Sequence, residues 1–144
     1  MEVEQFSGMN YKGSKRFTQW DIPTANATGF GAAADDYMER GIDLNEQLIR
    51  NKPATFFMRV SGDAMIGAGI FHGDVVIVDR SVKAANGKVI IALLNGEMLI
   101  RRFEKTFSRI RLVPETSKLS PIDIDLSGSE FSIWGVVTYV IHSL

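Results

Sequence analysis

This 144-residue chain predicts a mainly β domain of short antiparallel strands, with one brief helix and an N-terminal arm. Three observations carry that expectation. Short apolar, β-branched runs recur from Thr55 to the C-terminus. Tight-turn dipeptides, Asn86-Gly87 and Asn95-Gly96 among them, separate these runs. Helical periodicity shows once, around Leu44.

Residues 1–28 form the arm. They are polar, mixed in charge and without sustained periodicity, with Phe6, Tyr11, Phe17 and Trp20 scattered through them. Aromatics spaced this way fit a segment that docks on another surface. A plain solvated tail fits the same composition. Small residues then follow, Gly29-Phe30-Gly31-Ala32-Ala33, as a linker into a domain spanning residues 29–144.

The helix is expected from Asp43, an N-cap with Glu46 three residues on. Leu44, Leu48 and Ile49 form its apolar stripe, and Pro53 closes the pattern. Strands follow at Thr55–Val60, Val75–Val78, Lys88–Leu94, Glu97–Phe103, Arg109–Val113 and Phe131–Ile141. Turns fall at Ser61-Gly62-Asp63 and His72-Gly73-Asp74. Hairpins are expected at Asn86-Gly87 and Asn95-Gly96. In the last strand Val136, Val137, Tyr139 and Ile141 exceed what one face of a strand buries. The surplus serves either a dimer interface or a two-sided core.

Composition removes several classes of function. A hydrophobic content of 45% supplies one core, and a net charge of -1 gives no general reason to bind DNA. Without cysteine there is no disulfide, thiolate nucleophile or cysteine zinc site. His72 and His142 are too few for a multi-histidine metal site. There is no G-x-S-x-G elbow, Walker A sequence or G-x-G-x-x-G fingerprint, so no cofactor is expected. Arg101-Arg102, Arg109 and Arg111 could make a phosphate-facing stripe. With Glu104 and Glu115 nearby, a solvated or dimer-facing surface fits better. Glu2 and Glu4 stand where a signal peptide would be basic, and no apolar run reaches transmembrane length; a cytoplasmic protein is expected.

Two segments carry the chemistry. Val60-Ser61-Gly62-Asp63-Ala64-Met65 and Gly96-Glu97-Met98-Leu99-Ile100-Arg101-Arg102 resemble the active-site motifs of the UmuD/LexA family of self-cleaving serine-lysine peptidases. Arg40-Gly41-Ile42-Asp43-Leu44-Asn45, Gly73-Asp74-Val75-Val76-Ile77-Val78-Asp79 and Trp134-Gly135-Val136-Val137-Thr138 extend the likeness in the order of the UmuD-type branch. No helix-turn-helix pattern of the LexA repressors precedes them. In the family the first motif reads S-G-x-S-M and its second serine is the nucleophile; the second motif ends in the lysine base. By this resemblance Ala64 stands at the nucleophile position and Arg101 at the base position. Thr28-Gly29 stands where family members are cleaved, although both family prolines after the glycine are missing.

The resemblance implies a curved β architecture and a homodimer. It also implies a setting in which the cleaved protein joins a UmuC-type translesion polymerase after RecA filaments form on damaged DNA. Chemistry decides what the departures mean. Ala64 has no atom that can form a covalent intermediate. A guanidinium stays protonated at any working pH, so Arg101 cannot accept a proton as a lysine can. Ser61 lies three residues early, and Lys105 lies roughly 13 Å beyond Arg101 along a strand. Two readings follow: a non-catalytic UmuD-type subunit that restrains a polymerase, or a self-cleaving peptidase silenced by Ser-to-Ala and Lys-to-Arg exchanges.

Overall fold

A computed structural model describes residues 2–10 and 43–144, the side chains of 5–10 excepted. By compactness the chain divides into Met1–Lys12 with Asn51–Leu144, and Gly13–Arg50. In the second unit the described residues hold one helix, α1 (Leu44–Leu48). Asp43 caps it as expected: its carboxylate accepts from the Asn45 N–H at 3.0 Å, satisfying one of the free donors of the first turn. The helix ends earlier than the proline implies. Ile49 is already extended, and Pro53 lies in a separate 3-10 turn, Lys52–Ala54.

The first unit is one eight-stranded antiparallel sheet. Its strands are β1 (Val3–Asn10), β2 (Thr55–Val60), β3 (Val75–Asp79), β4 (Val89–Leu94), β5 (Glu97–Lys105), β6 (Ile110–Val113), β7 (Ile122–Asp123) and β8 (Phe131–Ile141). They lie in the order β1-β2-β3-β8-β4-β5-β6-β7. The sheet curls until its first strand meets its sixth: the N–H of Glu2, just before β1, donates to the Met98 carbonyl on β5 at 3.2 Å.

The two Asn-Gly dipeptides behave differently. Asn95-Gly96 closes a two-residue hairpin in which Leu94 pairs with Glu97. Both turn residues have positive φ, 50° and 82°, as a type I′ turn requires. Asn86-Gly87 makes a turn but no hairpin. The strands on either side of it, β3 and β4, both pair with β8 and not with each other. Two local sequences cannot report a third strand arriving 40 residues later, and that long-range pairing overrides the local signal.

β8 is inserted late in the chain and lies at the centre of the sheet. Its registers slip against both partners, between Ile77 and Val78 and between Ile91 and Ala92. The slip against β4 falls at Trp134 and that against β3 at Thr138, and Gly135 sits beside the first. A Cβ there would stand 2.6 Å from Val78 Cγ1, so the strands close only around a glycine.

The strands bury apolar side chains on both faces. On β4, Ile91 belongs to a cluster with Met58, Val76, Val78 and Ile100, whereas Ile90 and Ala92 join Phe103, Leu112 and Val136 in another. That explains the unbroken apolar run here, where alternation would mark a one-sided strand. β8 divides likewise: Trp134 and Val137 pack on the first cluster, Ile133 and Val136 on the second. The surplus expected in β8 is therefore partly a two-sided core. Beyond it Tyr139, Val140 and Ile141 remain exposed. β1 and β7 have no counterpart among the strands read from sequence. Phe17, Trp20 and the boundary between residues 28 and 29 lie outside the described residues.

Candidate functional site

Two segments held together by the sheet's curl make the site. The first leaves β2 at Val60 and returns to β3 at Val75. Its neck is closed by backbone bonds from Val60 N to Asp74 O (2.8 Å) and from Gly73 N to Val60 O (2.9 Å). Inside the loop, Ile66 N donates to Asp63 O at 3.3 Å, so Asp63 serves the turn through its carbonyl. Gly62 N donates to Nδ1 of His72 at 3.0 Å, which puts the proton of the neutral imidazole on Nε2. His72 is exposed, yet it also braces this loop. Behind it the buried Asp74 carboxylate accepts from Phe71 N at 2.8 Å and pairs with His142 Nδ1 at 2.5 Å.

This bracing fixes Ala64 in the interior, 5% exposed, in one apolar cluster with Val3, Met65 and Ile100. Glu115 completes the clamp from the segment after β6. Its N–H donates to Ala64 O and its carbonyl accepts from Gly67 N, each at 2.8 Å. A Cβ on Gly67 would stand 2.7 Å from that same carbonyl oxygen. The side chain of Glu115 accepts from Arg102 Nε at 2.5 Å, tying the loop to β5. Arg102 also donates to Gly87 O at 2.6 Å.

The second segment is β5, and there Arg101 is only 5% exposed. Its guanidinium is ion-paired with the Glu2 carboxylate and donates through Nη1 to Ile100 O at 2.8 Å. Its Nε is buried without a hydrogen-bond partner among the described residues. Glu2 makes further contacts: its N–H donates to Met98 O, its carbonyl accepts from Ser61 N at 2.6 Å, and its Oε1 accepts from Ile100 N at 3.3 Å. One residue at the start of β1 thus joins the Ala64 loop to the Arg101 strand.

Other residues singled out from the sequence fall elsewhere. Ser61 is exposed and meets Glu2 only through its backbone. Lys105 lies at the end of β5, where its N–H donates to Asn86 Oδ1 at 2.9 Å. The arginine stripe is paired: Arg102 with Glu115, and both Arg109 and Arg111 with Asp123 at 3.1 Å. Hydrogen bonding from Arg109 holds the Asp123 carboxyl below its ordinary range, reinforced by the Arg109 and Arg111 charges. Bonds from Ser127 lower Asp125 in the same way. Thr28 and Gly29 lie outside the described residues. Among the described residues no helix is long and apolar enough to cross a membrane.

Glu2 and Glu115 are the participants that motif reading passes over. In the sequence Glu115 stands only as an acidic neighbour of the arginines. The alternation of Glu2-Val3-Glu4 was the available signal: a fully buried Val3 flanked by carboxylates is a strand pattern, too short to register against the polar residues after it.

A curled antiparallel sheet carrying position 64 on a braced loop and position 101 on a neighbouring strand defines a peptidase-type β domain. Residues 22–138 match the Peptidase S24-like family, and the chain belongs to that family, with UmuD- and LexA-type proteins among its relatives. It is 40% identical to protein ImpA of Salmonella typhimurium over 79% of this chain and 77% of the relative. Protein MucA of Escherichia coli is 36% identical over 82% and 78%. The LexA repressor of Ralstonia nicotianae is 31% identical over 81% of this chain but 53% of its own length.

Proposed function

We propose that the chain is a non-catalytic UmuD-type subunit of SOS mutagenesis, a cytoplasmic homodimer that stays uncleaved and restrains a UmuC-type translesion polymerase. On this reading position 64 is the former nucleophile position and position 101 the former base position. The observation that carries it is the pairing of Arg101 with Glu2. The strand that would present a neutral amine presents a buried guanidinium with its counter-ion already in place. Ala64 offers a methyl group only. Neither bond making nor proton transfer can start from these two side chains. Family membership and the likeness to ImpA and MucA support the setting.

The test is incubation with RecA filaments on single-stranded DNA, and separately at alkaline pH, followed by intact-mass spectrometry. The chain is expected to remain full length under both conditions. A fragment beginning at Gly29 would overturn the assignment. Pull-down with a UmuC-type polymerase tests the second half; no retention of polymerase by the full-length chain would refute it.

A further inference from the structure

We infer that the groove between β5 and the end of β2, where Arg101 meets Glu2, is a peptide-binding site. It takes an extended segment in which a carboxylate-bearing residue is followed by an apolar one, and the chain's own Glu2-Val3 is its resident ligand. The inference rests on the geometry of β1 and stands apart from the polymerase reading.

Four features make this a recognition site and not a chance surface contact. Glu2 is read through its backbone on both sides, by Met98 O on β5 and Ser61 N beyond β2. Its side chain is read through charge, by the Arg101 guanidinium, and through Ile100 N. The next residue, Val3, is fully buried in the cluster that contains Ala64 and Ile100, so the following side chain has an apolar pocket. From there on the segment adds to the edge of β2, with Val3 opposite Val60, Glu4 opposite Arg59 and Gln5 opposite Met58. Backbone pairing gives such a groove its affinity, and the pockets give it selectivity.

A second observation points to exchange and not to a permanent fixture. Arg101 Nε is buried with no partner among the described residues, although a guanidinium offers a fork of donors suited to two carboxylate oxygens. The resident carboxylate therefore leaves one donor of the receptor unmet. The regular pairing of β1 on β2 also breaks between Gln5 and Asn10. A strand held firmly at its first residues and irregularly beyond them can be displaced by a segment of the same pattern from another molecule. Burial of a charged side chain is costly unless it is paired, so the groove favours an acidic occupant over a neutral one.

The test uses a fluorescein-labelled peptide of residues 1–10 (MEVEQFSGMN) and the full-length chain, with binding read by anisotropy. The Glu2→Gln chain, whose resident strand has lost its charge, is expected to bind the peptide at least tenfold more tightly than the unaltered chain. The same peptide carrying Gln in place of Glu2 is expected to bind that chain at least tenfold more weakly. An Arg101→Met chain is expected to bind both peptides alike. Near-ultraviolet circular dichroism checks that each variant is folded. If Glu2→Gln is not, the two peptides are compared on the unaltered chain at millimolar concentration, where the same preference is expected. Equal affinity for the two peptides on a folded chain that retains Arg101, or no binding at millimolar peptide, overturns the inference.

Discussion

Removing the charge from Glu2 tests the centre of the site, and its cost can be worked from the surroundings. The Arg101 side chain is 6% exposed and that of Glu2 23%, so the pair is largely but not wholly out of water. Stripping one partner from a fully buried pair costs about 3–5 kcal/mol, because the other charge stays desolvated. Here water reaches the Glu2 side, and Gln keeps an oxygen that can still accept from Ile100 N. We therefore expect Glu2→Gln to cost about 2 kcal/mol. Arg101→Met removes the cation and its unpartnered Nε together, and leaves Glu2 partly hydrated. Its cost is expected near 1 kcal/mol.

The double variant carries neither charge and should lose no more than about 1 kcal/mol, giving a coupling of about 2 kcal/mol. Urea unfolding is the assay. With a slope of about 2 kcal/mol/M, the midpoint of Glu2→Gln should fall by roughly 1 M and return to within about 0.5 M of the parent in the double variant. The coupling should persist in 1 M salt, since a buried pair is poorly screened. Additive costs for the two single variants, or a coupling that salt abolishes, would refute an internal ion pair at this site.

Further outcomes are expected. Ala64→Ser with Arg101→Lys should restore little self-cleavage, because a carboxylate beside a lysine raises its pKa and keeps it protonated; adding Glu2→Gln should raise the yield of the Gly29 fragment, and equal yields by mass spectrometry would contradict this. Gly67→Ala should cost about 1–3 kcal/mol in urea unfolding, since its Cβ would stand 2.7 Å from Glu115 O; an unchanged midpoint would show that the clamp is slack. Ile141→Glu should shift the sedimenting species from dimer to a 16.0 kDa monomer at micromolar concentration, and a parent chain already monomeric would count against the dimer. Asp123, with its folded pKa below the ordinary 3.8, adds stability above that pH and loses it as pH falls through the lower folded value. Arg109→Ala should move its carboxyl titration upward in an NMR pH series, and an unmoved titration would remove Arg109 as the cause.

What was legible in the sequence was what depends on neighbours. The strands from Thr55 to Val113, the Asp43 cap and the Asn95-Gly96 hairpin are each specified within a few residues. Asn86-Gly87 shows the limit. Its turn formed as the dipeptide demands, with Gly87 at φ 90°, while the partner of the following strand came from Phe131–Ile141. β7 was too short to show any period, and β1 gained its place from Val60 and Met98, more than 50 residues away.

The same distinction separates the two halves of the site. Ala64 and Arg101 stand out because each sits inside a segment whose spacing resembles a family motif. Their consequence was not visible, because it is settled by a contact 99 positions apart in sequence. A lysine at a buried position can shed its charge, whereas an arginine there keeps it and must be given an anion. Once position 101 carries a guanidinium at 5% exposure, some carboxylate has to approach. In this chain that carboxylate is delivered by a strand which also covers Ala64 through Val3 and caps the edge of β2. On the proposed reading, Ala64 and Arg101 do more than leave the site without a nucleophile and a base. On that reading a peptide is held there and not cut, so charge on Glu2 and not chemistry at Ala64 should govern what the site binds.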